Sequence, residues 1–147
     1  MEKEHLHEKS CTEYTHERAN ILLNLSLATF HQGDYNVATS YLSQAKQHLT
    51  QQNTLYRLWS QDIAGRIALA QGHTAKALEA YNKMYLLGLR SPYITSRWRA
   101  LVGQADARDA TGHTNKAHQL YAQASKLLHS ESLTVPIHAG RDTFFTQ

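Results

Sequence analysis

Gly72-His73-Thr74-Ala75-Lys76-Ala77-Leu78-Glu79-Ala80-Tyr81 returns further along the chain as Gly112-His113-Thr114-Asn115-Lys116-Ala117-His118-Gln119-Leu120-Tyr121. A looser copy stands earlier, at Gly33-Asp34-Tyr35-Asn36-Val37-Ala38, and continues to Tyr41, Leu42 and Ala45. The three glycines lie about 40 residues apart, and self-similarity at a fixed period of this size marks a stacked-repeat architecture. Such arrays mostly bind other proteins, so the first expectation is a binding surface and not a reaction centre.

The residues around each copy read as helix. Apolar or small side chains fall at Ala38, Tyr41, Leu42, Ala45 and Leu49 after the first glycine. They fall at Ala77, Leu78, Tyr81, Met84, Tyr85 and Gly88 after the second, and at Ala117, Leu120, Tyr121, Ala124, Leu127 and Leu128 after the third. Spacings of three and four give each helix one apolar stripe. Another helix precedes each: Thr12 to Gln32, Leu55 to Gln71, and Pro92 to Thr111. Gly33, Gly72 and Gly112 suit the left-handed residue that ends a helix. Asp34, Thr74 and Thr114 are expected to cap the helices that follow, and Ser91-Pro92 to open the fifth. Turns this short fold paired helices antiparallel. The reading is all-α: three antiparallel helix hairpins over residues 12–129, a frayed extension at 1–11, and an irregular tail at 130–147.

Composition agrees. With 147 residues the chain is long enough for one domain with a core, and two prolines and seven glycines leave little room for long loops. Cys11 is the single cysteine, which excludes an intramolecular disulfide and points to a reducing compartment. The charged start Met1-Glu2-Lys3-Glu4-His5 lacks the apolar run of a signal peptide, and Ile21 to Phe30 is interrupted by Asn24, Ser26 and Thr29. A cytoplasmic protein without a membrane segment is expected. The net charge of +3 permits acidic partners without requiring them.

The arrangement resembles the tetratricopeptide repeat family, whose motif places a small residue midway along the first helix and a glycine at the turn. An aromatic follows that glycine by two positions, and the second helix then carries a small, a large and a small residue. Ser26, Gly33, Tyr35, Ala38, Leu42 and Ala45 fill these places in the first unit. Gly65, Gly72, Thr74, Ala77, Tyr81 and Met84 fill them in the second, and Ala105, Gly112, Thr114, Ala117, Tyr121 and Ala124 in the third. Thr74 and Thr114 depart from the aromatic. The likeness covers roughly residues 15 to 129, with units longer than the 34 residues usual in the family. Units of this length look like those in the sensor regions of large bacterial activators of the maltose-regulator type, and in some signalling adaptors. The resemblance implies a right-handed α-solenoid, with the first helix of each pair lining a concave groove.

Carried over position by position, the resemblance makes Asn20, Leu23, Asn24 and Leu27 groove-facing on the first helix. It adds Trp59, Asp62, Ile63 and Arg66 on the third, and Arg99, Val102 and Asp106, with Asp109 behind them, on the fifth. An amphipathic helix or extended peptide would suit such a face, with Trp59 as anchor and Arg66 and Arg99 meeting carboxylates. The plainer reading makes Trp59 and Trp98 core residues. Family members that grip a terminal carboxylate need lysine, asparagine and arginine where this chain has Leu23, Leu27, Ile63, Arg99 and Gly103, so that clamp is disfavoured. Arginines gather on the first helices and lysines (Lys46, Lys76, Lys83, Lys116, Lys126) on the second.

Nothing in the sequence calls for a cofactor. His5-x-His7 with His16 or Cys11 lacks a zinc-site spacing, and no metal site is expected. His73 and His113 occupy equivalent turn positions. Asp106 and Asp109 suit a solvated helix face better than an acid–base pair. No nucleophile elbow, phosphate-binding glycine loop or HExxH motif is present. The expected function is a non-enzymatic protein–protein interaction module, an adaptor or a regulatory sensor domain. The alternatives are a nucleic-acid or acidic-ligand binder using the inner arginines, which the small net charge disfavours, and a three-repeat secretion chaperone. The tail, with Leu133, Val135, Ile137, Phe144 and Phe145, would fold back on the sixth helix or enter a neighbour's groove and so form a homo-oligomer; the plainer reading is a disordered remnant of a longer protein.

Overall fold

A computed structural model describes the backbone of residues 2–134 and the side chains of residues 14–130. Six helices follow one another: α1 (Glu2–His31), α2 (Tyr35–Gln47), α3 (Thr54–Ala70), α4 (Thr74–Leu89), α5 (Ile94–Ala110) and α6 (Thr114–Thr134). No strand occurs among the described residues. The all-α, three-hairpin reading therefore stands. α1 begins at Glu2 instead of Thr12, and α6 runs on to Thr134, past the point where the tail was expected to start. Residues 135–147, on which most of the tail's expected roles fall, lie outside the described residues.

The three glycine turns share one hydrogen-bond scheme. Gly33, Gly72 and Gly112 have φ of +83°, +76° and +79°. At the first turn Gly33 N–H donates to Phe30 O at 2.9 Å, and Asp34 N–H donates to Thr29 O at 3.0 Å. The same pair of bonds recurs from Gly72 and His73 to Leu69 and Ala68, and from Gly112 and His113 to Asp109 and Arg108. This is the glycine-terminated helix stop in which two orphan carbonyls are satisfied. The residue after each glycine finishes one helix and starts the next, because its own carbonyl accepts from Ala38, Ala77 or Ala117. That corrects the expected caps. Asp34 does cap α2, accepting from Val37 N–H at 3.3 Å, but Thr74 and Thr114 are already the first helical residues, and His73 holds the cap position of α4. The fifth helix likewise starts at Ile94 behind Tyr93, not at Ser91-Pro92; Ser91 Oγ instead accepts from Tyr93 N–H.

The two longer connections use side chains. Asn53 is buried, accepts from the Thr50 N–H and hydroxyl, and donates to the His16 ring at 2.8 Å. It ties the α2–α3 loop back onto α1.

Consecutive helices pack together throughout, and α3 additionally touches both α1 and α5. The second helices do not share such contacts: α2 does not meet α4, and α4 does not meet α6. The first-helix side is therefore the closed, short side of the array, and the second-helix side is the open one. Small residues permit the close approach. Ser26 is wholly buried and its hydroxyl donates to Ala38 O at 2.7 Å. Gly65 and Ala105, at the equivalent places, are buried as well.

Candidate protein-binding face

The centre of the first-helix side is a charged cluster shared by two hairpins. Asp62 on α3 accepts through Oδ1 from Arg66 Nε, one turn along, at 3.2 Å. The same oxygen accepts from Arg99 Nε on α5, also at 3.2 Å. Asp62 is almost buried, whereas the two arginine side chains retain 33% and 26% exposure. One carboxylate thus fixes two guanidinium groups by their inner nitrogens, and no partner is found for their outer nitrogens among the described residues. Guanidinium groups held in this way are suited to forked contact with a carboxylate or phosphate.

Beneath the cluster lies Tyr81 of α4, with no exposed surface at all. Its ring fills the space left by two glycines: a Cβ on Gly65 or on Gly103 would come within 2.4 Å of it. The hydroxyl is buried without a hydrogen-bond partner. Burial pushes its pKa up to about 12, Asp62 and Asp106 adding to the rise while Arg99 and Arg66 oppose it. Toward the end of the array Tyr121 of α6 donates to Asp106 Oδ1 at 2.5 Å. That bond, followed by burial, raises the Tyr121 pKa to about 12.

The other expected groove residues divide. Trp59 and Leu27 are half-buried against the cluster that includes Leu23, Leu42 and Ile63; Val102 is half-buried against the one that includes Leu101 and Ala105. Trp98 packs against that same last cluster, and Asp109 is exposed. On α1, Asn24 donates to the carbonyl and side-chain oxygen of Asn20 at 2.9 and 3.0 Å. Leu23 and Ile63 were expected to face the groove, but both are 0% exposed. They fill the junction between the first two hairpins and offer no surface, which is a correction. The structure thus joins Asp62, Arg66 and Arg99 directly and places Asp106 with Tyr121 instead.

Tyr81, Gly103 and Tyr121 were missing from the expected set. Tyr81 and Tyr121 sit on second helices, which the family pattern assigns to packing. The available signal was Gly103, which stands where the preceding unit has Ile63.

Among the described residues no group of three histidine, cysteine or carboxylate side chains could hold a metal ion. His5, His7 and Cys11 have side chains outside the described residues. No described helix is long and apolar enough to cross a membrane. Compared with protein-family models, curated proteins and solved structures, the chain shows no match.

Proposed function

We propose that this chain is a non-enzymatic interaction module of tetratricopeptide type, an adaptor or a cytoplasmic regulatory sensor, that binds a protein or peptide along its first-helix face. The observation that carries this reading is the Asp62 bridge. It holds Arg66 and Arg99, from different hairpins, against one carboxylate oxygen, with half-exposed Trp59 and Val102 on the same helices. Because the arginines are already ordered, less side-chain entropy is lost when a ligand carboxylate meets them.

Selection from a displayed peptide library tests the reading. Peptides enriched on the native chain should carry a carboxylate and an apolar residue. Arg66→Glu/Arg99→Glu should weaken them at least about tenfold. Enriched peptides indifferent to that double substitution would place the binding face elsewhere. Salt separates this reading from nucleic-acid binding: a phosphate-driven complex weakens steeply with rising salt, whereas an apolar anchor is little affected.

A further inference from the structure

The open side of the array carries a groove that the first-helix reading does not use. α2 and α4 stand apart with α3 as the floor between them. Two clefts, of about 430 and 260 Å³, lie along this gap, and both are lined by Lys46. The larger also takes in Arg57 and Lys83, and the smaller takes in Lys76 and His73. No carboxylate side chain lines either cleft. The comparable cleft on the α4–α6 side is lined by Glu79 as well as by Lys116 and Arg108.

The cations crowd one another in the unliganded chain. Lys46 is largely on the surface, yet partial burial of its ammonium group lowers its pKa, and repulsion from Lys83 lowers it further. Lys83 has one ion partner, Glu79 at 2.9 Å, in a pair exposed on both sides and therefore weak. Lys46 and Arg57 have no carboxylate partner among the described residues. Leu49, just past the end of α2, and Leu86 and Leu87, in the last turn of α4, line the larger cleft, and Leu86 is 53% exposed.

We propose that the groove between α2 and α4 is a second docking site, and that it takes an acidic, extended peptide segment with a leucine-like residue at the Leu49–Leu86 end. The charges specify the occupant by complementarity. The floor from Arg57 to Gln71 is about 21 Å long at the helical rise, which accommodates about six extended residues. Single-stranded nucleic acid would also bring negative charge, but its bases stack on aromatic side chains, and no Phe, Tyr or Trp lines either cleft. A flat anionic membrane would not reach into a recessed groove.

The probe is a fluorescent peptide of about six residues, glutamates ending in one leucine, titrated onto the full chain by anisotropy at low and moderate salt. Saturable binding is expected. It should weaken with salt, fall at least about tenfold in Lys46→Glu, and fall again when the peptide's leucine becomes alanine. Lys46→Gln serves alongside, with a smaller loss, should the charge reversal disturb the melting curve. Peptides selected on the first-helix face should bind Lys46→Glu as well as they bind the native chain, so the two sites fail or succeed separately. No saturable binding would overturn the proposal. So would binding that survives both Lys46 substitutions, or binding that is lost in Arg99→Glu instead. Tighter binding of an equally charged single-stranded oligonucleotide would reassign the groove to nucleic acid.

Discussion

Leu42 and Tyr81 hold the same place in consecutive hairpins, yet the two junctions they fill are built differently. At the first, Leu42 shares a core cluster with Leu23 and Ile63, and the approach of α2 to α1 is secured by Ser26 donating to Ala38 O. At the second, Tyr81 is enclosed by Gly65 and Gly103. Ile63 and Gly103 are equivalent positions, as are Ser26 and Gly65. A leucine from the second helix goes with an isoleucine on the next first helix, and the larger tyrosine goes with a glycine. Bulk is thus distributed differently between the helices at the two junctions, each side chain matched to the space its neighbours leave, as expected for an interior packed near crystal density. Tyr121, at the same place in the third hairpin, has no fourth hairpin among the described residues to cover it; it stays half-buried and bonds Asp106.

Several substitutions would break or sharpen this contrast. Tyr81→Ala should cost most, about 3–5 kcal/mol by denaturant unfolding, because the two glycines cannot fill the cavity. Gly65→Leu or Gly103→Leu should each cost about 1–3 kcal/mol or more through overlap with the ring. Because positions 81 and 103 share one space, Tyr81→Leu combined with Gly103→Ile should be more stable than the sum of the single changes predicts, with a coupling of about 0.5–3 kcal/mol. Strict additivity would refute that shared space.

The two tyrosine hydroxyls should differ in sign. Tyr121→Phe removes a bond to a carboxylate at a partly exposed site and should cost about 1 kcal/mol. Tyr81→Phe removes a buried hydroxyl that has no partner, and should be neutral or slightly stabilising. A loss of stability in Tyr81→Phe would mean that the hydroxyl is satisfied after all. Both tyrosines also predict an alkaline response. An unfolded tyrosine ionises near 10.0, whereas these two stay protonated until about 12. The unfolded chain then releases protons that the folded chain keeps. Stability is whole below about pH 10 and falls as pH climbs toward about 12. Tyr81→Phe should flatten part of that fall in pH-dependent melting curves.

Much of the fold was legible because one physical signal was repeated. The glycines at positions 33, 72 and 112 fix the turns, and the stripes of three-and-four spacing between them fix the helices. Asp34 caps α2 as expected, but Thr74 and Thr114 do not cap, because the helix stop makes the residue directly after the glycine the start of the next helix and leaves them one position inside it. On the candidate face, Asp62, Arg66 and Arg99 came from the family resemblance, and the structure brings the three together. Leu23 and Ile63 were not, since a family pattern says which way a residue points but not how far the neighbouring hairpin overlaps it. The unpartnered Tyr81 hydroxyl depends on two glycines from different helices converging on one ring, which no single segment reveals.

Because the inner helices touch along one seam while their outer mates do not, the softest motion of this array has a defined axis. The outer helices can fan like pages about a spine while the seam keeps its packing. A ligand wedged between α2 and α4 is therefore expected to pivot the hairpins about that seam and so to reshape the opposite face without touching it.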